Sequence, residues 1–429
     1  MKNSLNAVVH VFNLLVLGMG SEAAAQSGSN ATPDHPWKSS FWCGYAMSPY
    51  GDWNRDGRAD FLVSTPRDYD IDPLKSYGSV GVVSGADGSV LLLIRGQRMF
   101  GLNVDRADDI NGDGRPEIII DNSVFESQSG STLFVISEKD WIVRSVRRGF
   151  DSDHDGITDL VVVLGQAVVA DGIAKSRLQI RSGRDGNLIQ EVSDTQTSKW
   201  NYGICVPCPL DSGTRDLLVV PTMDSPPSGE LNLELICPTS GQVVAVRKFL
   251  AGERPCIAAA PVVDNSNGVV RIAIGVFDSS QKVLTSEAPS QERRGIALLI
   301  DPKTLETVLD LTDVNAAFRF GKAVDSGSDI DADGVSDVLI TEYADSFETD
   351  SHRQLLVYSG KSGALIRRHP HESFLGSEAG RSAAWVGDVN ADGVSDYAVS
   401  SSNQDPTSYL DDFALVFSGA DGKLLLRVP

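Results

Sequence analysis

Acidic side chains recur in five short stretches whose spacing could hold a metal ion. In residues 51–66, GDWNRDGRADFLVSTP, oxygen-bearing side chains stand at loop positions 1, 3, 5 and 9, and a glycine stands at position 6. Ligands that are all oxygen, with several carboxylates among them, suit Ca²⁺ better than Zn²⁺ or Mg²⁺. The glycine permits the tight turn that brings the side chains together. The sequence therefore predicts calcium loops.

The same spacing occurs five times, at residues 52–60, 109–117, 151–159, 329–337 and 388–396. Position 7 contributes its main-chain carbonyl and the other four positions contribute side chains. The predicted ligands are Asp52, Asn54, Asp56, Arg58 and Asp60; Asp109, Asn111, Asp113, Arg115 and Glu117; Asp151, Asp153, Asp155, Ile157 and Asp159; Asp329, Asp331, Asp333, Val335 and Asp337; Asp388, Asn390, Asp392, Val394 and Asp396. We expect about five structural calcium ions, because packed carboxylates repel one another without metal. Solvated aspartate-rich turns without metal remain the alternative.

The residue at position 12 separates these loops from EF-hands. An EF-hand loop carries a bidentate glutamate there and is flanked by helices. Here position 12 is apolar in every copy, and it begins no helical pattern: Val63, Ile120, Val162, Ile340 and Val399. The loops are therefore expected to be of the β-turn-β type.

A second motif, S-G-x-x-G, alternates with the loops. It stands at 84–88, 182–186, 359–363 and 418–422, and weaker versions are interpreted at 137–141, 238–241 and 301–305. Two degraded loops, 209–216 and 263–271, fill the gaps between complete copies. In the second of them Arg271 replaces the acid at position 9, and its fixed charge is a hypothetical substitute for the metal.

Each repeat reads as strand, loop, strand, variable loop, strand, glycine turn, strand. Seven such units without helical periodicity predict an all-β fold, a seven-bladed β-propeller of four-stranded antiparallel blades. A row of separate modules is disfavoured because one unit buries too little surface alone. The expected units are 38–95, 96–147, 148–193, 194–248, 249–311, 312–370 and 371–429.

The repeats resemble the FG-GAP family, the propeller type of integrin α-subunits and of many secreted bacterial proteins. The matching pieces are Phe100-Gly101, Phe320-Gly321, the five acidic loops and the apolar strands after them, over about residues 38–429. The "GAP" element is mostly lost, and two units lack complete loops. The resemblance implies a calcium-stabilised binding or adhesion module.

The first 25 residues are typical of a secretory signal, followed by a linker at 26–37. Lys2 precedes an apolar run, and Ala23, Ala24 and Ala25 offer a cleavage site. A retained membrane anchor is the alternative. We expect a secreted, periplasmic or cell-surface protein, a monomer without a later membrane span. The net charge of −21 disfavours nucleic acid as a partner. Pairing among the five cysteines is left open: Cys43, Cys205, Cys208, Cys237 and Cys256.

Long variable loops should share the face opposite the calcium loops, where rigid scaffolds usually bind partners. The candidate contacts for an extracellular protein or carbohydrate ligand are Tyr69, Tyr77, Phe347, His352 and Tyr409. No H-E-x-x-H or G-x-S-x-G motif is present, so no catalytic residue is predicted and a non-enzyme is expected. A polysaccharide-active propeller enzyme, glycosidase or lyase, is the alternative, and it would need a convergent carboxylate pair.

Overall fold

The computed structural model describes fifteen segments of the chain, and every regular element in them is a β-strand. The described segments are 25–27, 43–68, 77–166, 176–195, 206–209, 216–223, 230–237, 240–250, 255–266, 268–278, 295–313, 319–343, 353–370, 380–401 and 413–429. Most of the expected signal peptide and most of the long variable loops lie outside them. Within the described part of the chain, no helix has the length and apolar character of a membrane span.

The strands form successive sheets along the chain. The first three sheets contain β1 (Ala25–Ser27), β2 (Met47–Gly51), β3 (Asp60–Asp68), β4 (Tyr77–Val83) and β5 (Val90–Gly96); β6 (Val104–Arg106), β7 (Ile118–Ile120), β8 (Ser123–Phe125) and β9 (Thr132–Val135); β10 (Ile142–Arg148), β11 (Leu160–Gly165), β12 (Ser176–Arg181) and β13 (Leu188–Thr195).

The later sheets repeat this order. They contain β14 (Val206–Pro209), β15 (Asp216–Met223), β16 (Glu230–Ile236) and β17 (Val243–Leu250); β18 (Pro255–Asp264), β19 (Gly268–Asp278), β20 (Gly295–Ile300) and β21 (Thr307–Asp310); β22 (Phe320–Ser328), β23 (Asp337–Glu342), β24 (Gln354–Tyr358) and β25 (Leu365–His369); β26 (Ala383–Gly387), β27 (Asp396–Ser401), β28 (Phe413–Phe417) and β29 (Leu424–Val428).

Each sheet is an antiparallel meander, as the repeat predicted. The prediction of seven four-stranded blades was wrong in one respect, because six sheets have four strands and the first has five. In the first sheet Ala25–Ser27 pairs antiparallel with β5, since the outer edge of a sheet offers unpaired backbone groups to another strand. Part of the expected linker at 26–37 is therefore in a strand.

Hydrophobic cores lie between consecutive sheets. The central strands are apolar on both faces because each sheet is covered on both sides, and β11 is buried from Leu160 to Leu164. Inner strands contact the inner strands of neighbouring sheets, and β26 of the last sheet contacts β2 of the first. One core contains Phe61 from the first sheet and Val416 from the last. This circular packing is that of a β-propeller, closed by contact between the first and last sheets.

The ends of the described chain take part in this closure. The Cys43 thiol donates to the carbonyl of Val428 at 3.6 Å. Cys43 and Cys237 are present as thiols. The side chains of Cys205, Cys208 and Cys256 lie outside the described residues.

Candidate metal centre

The five acidic loops share one backbone conformation. Position 4 is left-handed in all of them, with φ between 60° and 77°, and so is the glycine at position 6. The residues at position 4 differ widely in type: Arg55, Gly112, His154, Ala332 and Ala391. A conformation that side chains rarely adopt, kept across five unlike residues, is held by the hydrogen bonds around it.

Backbone N–H groups fix the acidic side chains within each loop. In the first loop Asp52 accepts from the N–H of Asp56 at 3.0 Å and of Gly57 at 2.9 Å. The Asp56 N–H also donates to Asn54 Oδ1, and Arg58 donates its N–H to Asp56 Oδ1 at 2.9 Å. The corresponding bonds recur in the other four loops. The side-chain oxygens at positions 1, 3 and 5 are therefore positioned alike in every copy.

The carboxylate at position 9 ties the loop to the glycine turn of the same sheet. In the first sheet Asp60 Oδ2 accepts from Trp53 N at 2.7 Å, while Oδ1 accepts from Gly85 N at 3.0 Å. Asp159, Asp337 and Asp396 make the same two kinds of bond, to loop position 2 and to the turn glycine. The expectation that loops and turns share one face is confirmed by these bonds.

The turn glycine is required by a close backbone approach. A Cβ added at Gly85 would lie 2.0 Å from the carbonyl oxygen of Ala59, and one at Gly419 would lie 1.9 Å from that of Ser395. No side chain fits at such distances. The S-G-x-x-G pattern thus marks the place where the turn packs on position 8 of the loop.

The second sheet departs from this arrangement. Its turn is at 126–130, closed by a bond from Gly130 N to Glu126 O, so the weak motif interpreted at 137–141 was wrong. Ser127 stands at the glycine position and Glu117 at loop position 9. Glu117 Oε2 accepts from Ile110 N at 2.6 Å, but its buried Oε1 has no hydrogen-bond partner among the described residues.

Burial raises the pKa of the carboxyl groups at position 9. It raises the pKa of Glu117 and of Asp337 to about 7, and that of Asp396 to about 6. Nearby loop carboxylates add to the effect. The pKa values of Asp60 and Asp159 are also raised by burial. A bound cation would remove this penalty, because an opposite charge favours the ionised form.

Three carboxylates converge in the loop of the third sheet and in that of the sixth. Asp151, Asp153 and Asp159 offer oxygens within 4.8 Å of one another, and so do Asp329, Asp331 and Asp333. The donor set, carboxylates with a main-chain carbonyl and no nitrogen or sulfur, fits a hard divalent cation. In the other three loops position 3 is an asparagine: Asn54, Asn111 and Asn390.

The third residue of the glycine turn distinguishes these two loops from the rest. Arg184 Nε lies 2.7 Å from Asp155 Oδ2 in the third sheet. In the sixth sheet Lys361 Nζ donates to the carbonyl of Asp333 at 2.7 Å. The equivalent turn residues in the first and seventh sheets are Ala86 and Ala420. Two loops thus have a cationic side chain beside position 5, where two others have alanine.

The degraded loop of the fifth sheet is joined to its neighbour instead. Arg271 Nη1 donates to the carbonyls of Gly360 and Lys361 in the sixth sheet. Its guanidinium therefore bonds to the neighbouring sheet rather than to its own loop. The hypothesis that it substitutes for a metal in its own loop gains no support. The degraded loop at 209–216 lies mostly outside the described residues.

Inner-strand aspartates were not foreseen by the sequence. Asp325 Oδ2 accepts from Trp385 N of the next sheet at 2.9 Å, and Asp105 Oδ2 accepts from Arg148 N in the same way at 3.4 Å. Each of the two aspartates stands four residues before the first residue of an acidic loop. This shared position was the sequence pattern that could have identified them. They satisfy open backbone groups of the neighbouring inner strand, which is a structural role.

The structure describes little of the expected ligand-binding face. Tyr77 is half-buried at the start of β4 and pairs with Asp68. The other four candidate contacts lie outside the described residues: Tyr69, Phe347, His352 and Tyr409.

The comparisons with known proteins give one structural similarity to report. No family model matches the chain. No curated protein matches it either. Among solved structures, Sqt1 from Chaetomium thermophilum is similar over 92% of this chain and 86% of its own, with a TM-score of 0.46 and 11% sequence identity. A similarity this low says nothing about function, and the candidate site stands on its own residues.

Proposed function

We propose that the protein is a calcium-stabilised β-propeller that acts as an extracellular binding or adhesion module. Calcium would be held in five β-turn-β loops by the side chains at positions 1, 3, 5 and 9 and by the carbonyl at position 7. The propeller fold fits a binding module because it presents loops on a rigid scaffold. Membership of the FG-GAP family and export by the N-terminal segment are parts of the same proposal.

The observation that carries the proposal is the shared wiring of positions 1, 3 and 5 in the five loops. Each loop fixes these side chains with the same backbone donors and ends on a buried acid at position 9. Burial raises the pKa of this acid even though backbone N–H groups bond to it, so those bonds do not fully offset its desolvation. A divalent cation offsets this desolvation and the repulsion between carboxylates, so binding would add directly to folding stability.

The role of calcium is structural in this proposal. The loops lie on the same face as the glycine turns, and the order of strands in each sheet leads us to expect the variable loops on the other face. We place the extracellular protein or carbohydrate ligand on that other face. Among the described residues, the two clusters of converging carboxylates lie in the proposed calcium loops, so they give no separate support to the enzyme alternative.

Thermal unfolding with calcium titrated after chelation tests the structural role. Binding to the native state alone raises the unfolding temperature as free calcium rises. We expect a marked upward shift with calcium and a much smaller shift with equal magnesium. An unfolding temperature that is the same in chelator and in calcium would reject the proposal.

A further inference from the structure

A cavity of about 450 Å³ opens on the calcium-loop face, where the loops of the fifth, sixth and seventh sheets meet. Its volume lies within the range of about 300 to 1,000 Å³ that is typical of small-molecule sites. Residues of the loops form part of its wall, but neither calcium binding nor the expected ligand face gives it a role. Its wall includes Asn265, Ser328, Asp329, Val394 and Ser395.

No large side chain crosses between the loops at this junction. At the two junctions of the first loop, position 7 of one loop faces position 2 of the loop before it. Arg58 Nη1 donates to the carbonyl of Val389 at 3.3 Å, and the Arg115 guanidinium lies 4.8 Å from the centre of the Trp53 ring. At the junction of the sixth and seventh sheets position 7 is only Val394, so no side chain crosses the gap.

In the sixth sheet, the residue immediately before the acidic loop is also small. Asp108 stands there in the second sheet, where it pairs with Arg148 and accepts from Thr158 N. In the sixth sheet the same place is Ser328, which lines the cavity. Ser328 therefore makes no contact like that of Asp108 with the next sheet, and the space beside it and Val394 is open.

The chemistry of the wall selects a class of ligand. Serine hydroxyls and an asparagine amide provide donors and acceptors, while Val263 and Val394 provide apolar surface. No lysine or arginine lines the cavity, and Asp329 gives its wall a negative charge. A neutral pyranose matches this mixture, because its hydroxyl edges hydrogen-bond and its C–H faces pack on apolar side chains. An anionic ligand would be repelled.

We propose that this cavity, at the junction of the fifth, sixth and seventh sheets, is a binding site for a neutral sugar. It is a second site, separate from the expected ligand face, and it does not depend on that proposal. Asp329 belongs both to the cavity wall and to a candidate calcium loop, so binding is measured in buffer that contains calcium.

Val394→Arg is the variant that tests the site. Arginine at this place copies Arg58 and Arg115, so it should reach the carbonyl of Ile330 across the cavity without disturbing the fold. Ile157→Arg is the matched control, since it makes the same change at position 7 of the third loop. Asn265→Ala is a second variant that removes an exposed amide from the rim.

Saturation-transfer difference NMR provides the readout, with methyl glycosides of mannose, galactose and glucose as neutral probes. We expect signals from at least one of them with the wild type and with Ile157→Arg, and a loss of about tenfold in affinity with Val394→Arg. Asn265→Ala should weaken binding by a few fold. Galacturonate, as an anionic probe, should bind more weakly because Asp329 repels it.

Three results would overturn the inference. The first is the absence of signal from all three neutral glycosides. The second is unchanged binding in both Val394→Arg and Asn265→Ala. The third is tighter binding of galacturonate than of every neutral glycoside. Circular dichroism of each variant confirms that a lost signal reflects the cavity rather than unfolding.

Discussion

Loop position 9 is an aspartate in the first sheet and an arginine in the fifth. The aspartate bonds within its own sheet, whereas the arginine bonds to the next sheet. In the first sheet Asp60 accepts N–H groups from its own loop and its own turn. In the fifth sheet Arg271 donates to carbonyls of the next sheet. A carboxylate at this position thus organises its own sheet and leaves oxygens for a cation. An arginine instead joins two sheets and brings its own charge.

The fifth sheet is not alone in relying on arginine. Arg247, from the outer strand of the fourth sheet, donates to the carbonyl of Leu305 in the turn of the fifth sheet at 2.7 Å. Arg367 of the sixth sheet, which has a complete loop, donates to carbonyls in the turn of the seventh sheet in the same way. Arginine contacts between sheets are therefore general, and the comparison teaches that the residue at loop position 9 decides whether this place bonds within its own sheet or to the next one.

The largest effect should come from removing the buried acid. Asp60→Ala leaves three N–H donors without their acceptor in a loop and turn that pack closely, and we expect a loss of about 3 to 5 kcal/mol in the free energy of unfolding. Arg271→Ala removes half-exposed bonds and should cost about 1 kcal/mol. Urea unfolding in calcium buffer measures both. Equal losses of unfolding free energy in the two variants would contradict the difference between the two sheets.

The turn glycine should be next in effect. Gly419→Ala drives a Cβ into the carbonyl of Ser395, so the turn must move away from the loop, at a cost of about 2 to 3 kcal/mol. Ala420→Ser, at the exposed neighbouring residue, is the matched control. Similar stabilities of the two variants would show that the contact between turn and loop is not tight.

Acid should weaken the contact between the sixth and seventh sheets, which involves no metal. His369 Nε2 lies 2.8 Å from the Tyr397 hydroxyl, and burial, with the nearby Arg367, lowers the pKa of His369 to about 4. The unfolded chain takes up this proton near pH 6.5, whereas the folded chain resists it. Stability is therefore lost as pH falls from about 6.5 to 4, by up to about 3 kcal/mol.

His369→Phe isolates this contribution from that of the loop carboxylates. Phenylalanine keeps the packing on Phe417, whose ring centre lies 4.2 Å from that of His369. The difference in unfolding free energy between wild type and variant should shift in favour of the variant as pH falls. A difference that stays constant from pH 7 to pH 4 would contradict the buried neutral histidine.

The smallest effect concerns the cationic side chain at the third loop. Arg184 pairs with Asp155, a predicted ligand at position 5, so the guanidinium competes with a metal for that oxygen. Arg184→Ala should tighten calcium binding at this loop by a few fold, with little change in stability in chelator. Isothermal titration calorimetry of the variant beside Ala86→Ser measures the change. Weaker binding after removal of Arg184 would contradict the competition.

Much of the fold follows from the sequence because the repeat signals are local. The alternation of acidic loops and glycine turns predicts antiparallel four-stranded units, and strands such as Leu160–Gly165 read as continuous apolar runs. The fifth strand of the first sheet was not predicted, since three residues of alanine, glutamine and serine carry no hydrophobic pattern. Pairing at an open edge depends on backbone groups that any sequence supplies.

The candidate site was predictable in its ligand types but not in its connections. Loop spacing identified Asp60 and its equivalents, yet only the folded chain shows that they reach Gly85 and the corresponding turn residues. The turn of the second sheet was not recognised because Ser127 replaces the glycine that marks the motif. The direction of Arg271 also depended on the neighbouring sheet, which no local pattern describes.

The count of bound calcium ions tests the central claim most directly. The protein is dialysed against calcium and then against an equal concentration of magnesium. Native mass spectrometry then reports the number of ions on the folded chain. We predict about five calcium ions per chain, and about four after Asp60→Ala removes one loop. A folded chain that binds no calcium would show that the five loops are solvated turns and would contradict the account.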